Sequence, residues 1–400
     1  MNKWGVYKNV LMRPFDATAM LWRHRRTLKY LWRKDRRSFW NHIFVTYFVR
    51  GEDCGKGVLD PIFKLTGWAP FLWDIEMETT TACYLRCIHC EHTYWQDKAY
   101  LNQHLSLDAL KRVIDGIPNL HWINLTGEGT SILNPEFDDM VKYVKSKGIY
   151  LDFSHDFARL PEATMRTWVE CGVDRIYWSV DGITKETYEK IRVGADFDVV
   201  CNNVKRLVQM KKELHSPLPE ICFRYCFFKH NVHEVSIIPR FLASLVDDVS
   251  DYGDEPSINI VALLEFAETK DWAVEIALSA VEMTDIESHR LGFINYWSHP
   301  THIEMDKPPL DYCTFWSEPY VMITGHVVPD CAVMMSNSRS KLAELAFGNI
   351  YEQPLKDIWN SDKYRKFRKM VVNPHGKVPR VCLGCRVFNT RDRAKRYGVV

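Results

Sequence analysis

The 400-residue sequence has no long apolar run, no internal repeat, no low-complexity tract and almost no net charge, at +1. Each absence excludes something. The longest charge-free stretch near the N-terminus, Ser38–Val49, covers twelve residues and is interrupted by Asn41, His42 and Thr46. A membrane-spanning helix needs about 20 mostly apolar residues. The basic start is not followed by an apolar segment and a small-residue cleavage site, so no signal peptide is expected and the chain reads as cytoplasmic. Lack of any period of ~20–50 residues excludes solenoids and propellers. A composition 46% hydrophobic and 26% charged excludes wholesale disorder and collagen-like order. At about 150 residues per domain, this length allows two or three.

Acidic residues are scarce in one place only. Residues 1–50 hold Asp16 and Asp35 against 12 Lys/Arg, which leaves the rest of the chain acidic. A globally basic nucleic-acid binder is therefore not expected, but a basic arm is present. The same 50 residues carry 11 aromatics, among them Trp22, Trp32, Trp40, Phe44 and Phe48. Leu21, Leu28, Leu31 with Trp32, and Phe39 follow helical spacing. Three readings of this arm stand. It can contact a membrane as a basic amphipathic helix with an aromatic face, bind RNA by stacking and phosphate contact, or pack its aromatic stripe on the rest of the protein.

Glycine-rich Gly51–Gly57 and the turn Gly67–Pro70 separate this extension, 1–70, from the region beginning at residue 71. From 71 to 266 short β-like runs alternate with amphipathic helices. The runs are Leu72–Met77, His121–Leu125, Ile149–Phe153, Arg175–Val180, Ile221–Phe228 and Ile258–Leu264. The helices lie near Leu107–Ile117, Glu136–Lys147, Pro161–Cys171, Phe197–Leu214 and Val232–Val246, with Ser106 as an N-cap and Pro161 as a first-turn proline. Six βα units in series give a parallel sheet. Six strands are too few for a closed eight-stranded barrel, so the expected fold is α/β, a partial (β/α)6 TIM-like barrel with its chemistry at the C-terminal strand ends. Residues 267–310 read as a helical connection. Residues 311–400 read as a small α+β module, with a hairpin at Tyr320–Val328 turning at Gly325 and helices near Leu355–Asn360 and Asp362–Val371.

Twelve cysteines in such a chain point to metal or redox chemistry rather than a disulfide framework. Cys83, Cys87 and Cys90 form a C-x3-C-x2-C just past the first strand. Three thiolates on one short loop can hold three irons of a [4Fe–4S] cluster and leave the fourth open. A structural zinc site completed by His89, His92 or a distant cysteine is the alternative. Cys313, Cys331, Cys382 and Cys385 form a second set, able to saturate one [4Fe–4S] cluster or a four-cysteine zinc ribbon.

The triplet and the segments after it resemble the radical S-adenosylmethionine (radical SAM) superfamily. Thr126-Gly-Glu-Gly-Thr130, followed by Leu133-Asn-Pro135, resembles its Gly-Gly-Glu motif, with Thr126 in place of the first glycine. Ser179-Val-Asp-Gly182 and Ile191-Arg192 resemble the Ser-x-Asp-Gly and Ile-Arg segments of members with C-terminal auxiliary clusters. The second cysteine set, with Gly348-Asn-Ile-Tyr351 and Leu355–Asn360 between its members, resembles the Twitch module, a shortened SPASM domain. The resemblance spans about Leu72–Phe388. It implies two [4Fe–4S] clusters, one SAM-binding on Cys83, Cys87 and Cys90 and one auxiliary on Cys313, Cys331, Cys382 and Cys385. It further implies that Gly127 and Glu128 hold the methionyl amino group, that Ser179, Asp181 and Arg192 face its carboxylate or ribose, and that His89 lies against the adenine. An electron from a flavodoxin- or ferredoxin-type donor would then cleave SAM to a 5′-deoxyadenosyl radical.

Cys222, Arg224 and Cys226 alternate on the fifth strand and share a face. A cysteine there could return hydrogen to a substrate radical, while free cysteine is also among the most buried residue types. Arg224 could anchor an anionic group. The expected outcome is oxidation or carbon-centred rearrangement of an organic substrate, a small molecule or a lipid-linked one at a membrane surface. The alternatives are modification or epimerisation of a ribosomally made peptide, and a non-catalytic zinc or iron–sulfur protein with a membrane- or nucleic-acid-binding arm. Nothing in the sequence resembles the winged-helix leader-recognition domain of peptide-modifying relatives.

Overall fold

The structure, a computed structural model, describes residues 72, 74–117, 120–263, 266–269, 271–298, 313, 315–329, 338–372 and 377–382, together with 65–69 and scattered helical positions between 18 and 62. The expectations for 51–57, for the end of the 267–310 connection, and for Cys331 and Cys385 fall outside these residues.

The strands, in chain order, are β1 (Asp74–Met77), β2 (Arg86–Cys87), β3 (Trp122–Asn124), β4 (Tyr150–His155), β5 (Arg175–Ser179), β6 (Arg192–Val193), β7 (Glu220–Phe227), β8 (Ser257–Ala262), β9 (Ile294–Ser298), β10 (Pro319–Val321), β11 (His326–Pro329) and β12 (Gly348–Asn349). Ten of them form one sheet, ordered β12-β11-β10-β1-β3-β4-β5-β7-β8-β9, which ends on different strands and does not close. From β10 to β9 every neighbouring pair is parallel. The α/β partial barrel expected from the βα series is what forms.

Period-two alternation sorts the side chains. Phe153 faces the helices, its ring 5.0 Å from Trp168 and 5.3 Å from Phe137. Trp178 does likewise, 6.4 Å from Phe241. The residues between them face the concave side, and there the strands carry Asn124, Asp152, Ser154, Arg175, Tyr177, Ser179, Glu220, Cys222, Arg224 and Asn259, in matched rows. A concave wall this polar cannot be a packed core, so it is a surface meant to meet something.

The helix Leu107–Asp115 starts as expected on Ser106, whose hydroxyl accepts from the Ala109 amide at 3.2 Å. Pro161 stands at the N-cap of Glu162–Cys171 rather than inside its first turn. Two further expectations are corrected. The single helix at 232–246 is a 3-10 turn, Val232–Ile237, followed by Ile238–Ala243, because Pro239 fits only a new first turn. The 267–310 connection holds the helix Leu278–Leu291 and then β9, a seventh parallel strand; Ile294 and Tyr296 on it are exposed, so the apolar alternation of a buried strand is missing. The C-terminal hairpin forms where expected, turning at Gly325 with φ +80°, and β10 adds to β1, so the module extends the barrel wall. In the N-terminal extension the helix Arg25–Lys34 is present, and Trp32 lies edge-on to Phe39 at 4.8 Å.

Candidate active site

The loop after β1 carries Cys83, Cys87 and Cys90, and three distant segments are drawn onto it. The first is Ile191–Val193. β6 pairs antiparallel with β2, setting Arg192 opposite Cys87, and Arg192 Nη1 lies 4.0 Å from Cys87 Sγ. The second is the turn 126–130. The Thr130 amide donates to the Ala82 carbonyl at 2.8 Å, and the Thr130 hydroxyl is 3.5 Å from Cys83 Sγ. This closeness requires glycine at two positions. A Cβ on Gly127 would meet Glu78 Cγ at 2.6 Å, and one on Gly129 would meet the Ala82 carbonyl oxygen at 2.5 Å. The turn thereby brings the Glu128 carboxylate, the Glu91 carboxylate and Cys90 Sγ within 4.8 Å of one another.

The third segment is Asp181, just past β5, at φ +20°. Its carboxylate takes a short ion pair from Arg192, His89 Nε2 at 3.1 Å, and the Cys226 amide at 2.8 Å. Asn231 secures the turn by donating to the Asp181 carbonyl at 2.9 Å. Burial alone would raise the Asp181 carboxyl, but Arg192 and His89 outweigh it and hold it well below the usual carboxylate range. The three cysteines shift the other way. Burial raises the thiols of Cys83 and Cys90, and pushes Cys87 up to about 12 despite Arg192.

The expected residues thus fall into two groups. His89, Gly127, Glu128, Asp181, Arg192 and Cys226 come together around the three cysteines. Ser179 lies close by at the end of β5, in register with Arg224 on the concave face. Cys222 is fully buried, one rung below Cys226. His89 faces Phe228, ring centroids 5.3 Å apart. Cys313 and Cys382 are buried in the core of the module, their amides donating to Val371 and Pro379 carbonyls at 2.9 and 3.0 Å.

Sequence reasoning missed Glu78, Glu91 and Arg339. Glu78 and Arg339 form an ion pair in which both side chains are 0% exposed, with the guanidinium 4.7 Å over Trp95. Glu78 also accepts from the Ile323 amide at 2.8 Å and the Glu128 amide at 3.4 Å, so it ties the module's hairpin to the 126–130 turn. Asn134 donates to the Thr79 and Leu105 carbonyls at 2.8 and 2.9 Å, which explains the Asn-Pro after that turn. Only Glu91, next to a cysteine of the triplet, carried a signal that could have been used.

An unclosed parallel sheet with three cysteines on its first loop, and an acid and a basic segment folded onto them, is an arrangement able to hold a metal centre at the mouth of a partial barrel. The radical SAM superfamily model matches residues 77–218, and a model described as an iron–sulfur cluster-binding domain, SPASM, matches 313–386. The chain belongs to the radical SAM superfamily, as an enzyme with a C-terminal SPASM module, and its cofactors are [4Fe–4S] clusters and S-adenosylmethionine. The chain is thus an iron–sulfur enzyme and not the non-catalytic zinc protein that the sequence left open. The chain is 26% identical over 313 residues to the tungsten-containing aldehyde ferredoxin oxidoreductase cofactor-modifying protein of Pyrococcus furiosus, covering 74% of this chain and 83% of that protein. It is 29% identical over 133 residues to the mycofactocin maturase MftC of Mycobacterium tuberculosis, covering 32% of this chain and 33% of that one. Among solved structures, Streptococcus suis SuiB bound to S-adenosylmethionine shares the fold at 14% identity, with a TM-score of 0.60 over 82% of this chain and 74% of that one. Among the described residues no helix is long and apolar enough to cross a membrane.

Proposed function

We propose that the enzyme is a maturase, acting at an unactivated carbon of a peptide or peptide-borne precursor. The observation that carries this reading is the alignment, over 74% of the chain, with a protein named for modifying another enzyme's cofactor. The match to a mycofactocin maturase supports it. So does the unclosed sheet among the described residues, with its polar, half-buried concave face. Oxidation or carbon-centred rearrangement of another organic substrate, a small molecule or a lipid-linked one, is the main expectation from sequence and has less support. One observation still favours a membrane surface: Trp22, Trp32 and Trp40 are exposed at 70%, 42% and 61%, with Arg25 over Trp22 and Arg36 over Trp32.

In this reading Cys83, Cys87 and Cys90 hold the SAM-binding cluster, and Cys313, Cys331, Cys382 and Cys385 the auxiliary one. The first loop fits such a group. Burial disfavours the thiolate form at all three, Cys87 buried and Cys83 and Cys90 half-buried, and the positive charge of a bound cluster would offset that. Around them His89 Nδ1, one oxygen of Glu91 and Arg192 Nε are buried without a hydrogen-bond partner among the described residues. When bound, the cluster and SAM supply a carbon radical able to take hydrogen from an unactivated C–H bond. The chain's residues divide the site by charge. Glu128, with Glu91 beside it and Gly127 letting it approach, suits the methionyl ammonium. Arg192 suits the carboxylate, oriented by Asp181. Ser179 reaches the ribose, and His89, fixed by Asp181, presents its ring to the adenine. Of the two proposed hydrogen donors, Cys226 is the better placed and Cys222 lies deeper. The electron comes from a flavodoxin- or ferredoxin-type donor, and 1–70, 71–266, 267–310 and 311–400 remain the proposed domain division.

Anaerobic reconstitution should give about eight irons per chain and release 5′-deoxyadenosine from SAM under reduction. Coexpression with the short reading frames encoded beside its gene, followed by mass spectrometry, should show one peptide with an altered mass. Unaltered peptides, together with a lipid or metabolite extract consumed in step with 5′-deoxyadenosine release, would overturn the maturase reading.

A further inference from the structure

The concave wall and its rim carry four arginines, and three are already neutralised. Arg175 donates to Glu220 from Nε and Nη2 at 3.1 and 2.6 Å. Arg192 pairs with Asp181 and Arg339 with Glu78. Arg224, at the middle of the face on β7, forms no ion pair with any described carboxylate. Its strand neighbours in register are Ser179 and Asn259, both uncharged. It is nonetheless held in place: its guanidinium lies 4.8 Å over the Tyr177 ring, and Nη1 is 3.4 Å from the Ser154 hydroxyl. A planar cation braced on an aromatic face and short of a counter-ion is arranged to receive a carboxylate through two parallel hydrogen bonds.

A second observation comes from the neighbouring rows. Asp152 faces the same side and is 1% exposed. One of its oxygens accepts from Asn124 at 2.7 Å; the other has no partner within hydrogen-bond distance among the described residues, although the Trp122 indole acts on the carboxyl. Burial raises its carboxyl to about 6, with Trp122, Asn124, Arg175 and Arg224 acting the other way. A buried polar oxygen without a partner is expensive unless a ligand completes it. Arg224 and Asp152 therefore offer one anchor for an anion and one acceptor for an N–H or O–H.

We propose that Arg224 is the substrate anchor, taking a carboxylate of the molecule being modified, with Asp152 accepting a hydrogen bond from the same molecule. The anchor stands two residues, about 7 Å along the strand, from Cys226, whose amide meets Asp181, so a carbon several bonds from the held carboxylate reaches the mouth. This rests on the reading that the concave face receives the substrate. The carboxylate can belong to a peptide or to a free small acid.

The test uses the reconstituted, SAM-loaded enzyme and calorimetric titration. The probes are N-acetylated dipeptides as C-terminal acids and as C-terminal amides, and glutarate as a free acid. Acids should bind at least about tenfold more tightly than their amides, the scale of one charge-assisted contact. Arg224→Met should remove that preference. Arg224→Lys, which keeps the charge but not the fork, should retain part of it, and iron content should match wild type in both variants. If no acid outbinds its amide, or if Arg224→Met keeps the preference, the anchor is overturned. Selective binding of glutarate, abolished by Arg224→Met and with no peptide acid bound, keeps the anchor and overturns the maturase reading instead. Selective binding of peptide acids supports both.

Discussion

Two buried arginine–carboxylate pairs flank the first cysteine loop, and their carboxyls shift in opposite directions. Asp181 faces Arg192 and His89 and accepts a backbone amide, and it is held low. Glu78 faces Arg339 and accepts two amides, yet burial raises it, with Glu128 adding to the effect. The contact of each pair is equally close, so the third group decides. Beside Asp181 it is the His89 ring at 3.1 Å, and beside Glu78 it is the Glu128 carboxyl, which adds to the effect of burial. The loop therefore lies between a basic flank and an acidic flank.

The comparison can be broken by removing partners. Arg339→Met leaves a wholly buried carboxylate with no cation, and should cost about 3–5 kcal/mol of stability. The double variant Glu78→Gln/Arg339→Met should recover much of that loss, measured by anaerobic urea unfolding. A double variant worse than the single would mean the pair matters for shape rather than charge.

Asp152 is a third buried carboxyl, and burial outweighs Arg175 and Arg224 there, so it should behave like Glu78. Its folded value of about 6 lies above the ordinary 3.8. The folded state therefore binds the extra proton between those values, and wild-type stability falls as pH rises through that window. Asp152→Asn removes the term, so its advantage should grow from pH 4 to about 6.5 and then level off, at no more than about 3 kcal/mol. Calorimetric melting across that range checks it. A gap that stays constant or shrinks with pH would refute it.

Arg192→Met should cost less than Arg339→Met, about 1–3 kcal/mol, because His89 remains beside Asp181. The reverse order in unfolding experiments would refute the account of the third group. Gly127→Ala drives a methyl against Glu78, which cannot retreat. It should weaken SAM binding about tenfold, the low end of the 1–3 kcal/mol cost of overpacking, measured by titration of the reconstituted enzyme. As a reference for exposed pairs, Lys190→Ala breaks the surface contact with Glu186 at 2.7 Å and should leave the melting temperature unchanged.

Much was set by local order along the chain. The βα alternation determined the parallel sheet, because strand and helix periods are written in neighbouring residues. The spacing Cys83, Cys87, Cys90 determined the triplet, because three ligands on one loop need no tertiary partner to be recognised. The turn with Gly127 and Glu128, and the Ser179–Gly182 and Ile191–Arg192 segments, were legible for the same reason. Tertiary structure alone decided the rest. The pairing of β6 with β2 sets Arg192 on Cys87 across 105 positions, and Arg339 meets Glu78 across 261. β10 joins β1 and makes the C-terminal module part of the barrel wall. Which of Arg175, Arg192, Arg224 and Arg339 keeps an unsatisfied charge was decided there too, since a counter-ion is a neighbour in space and sequence order does not fix which carboxylates come within 4 Å.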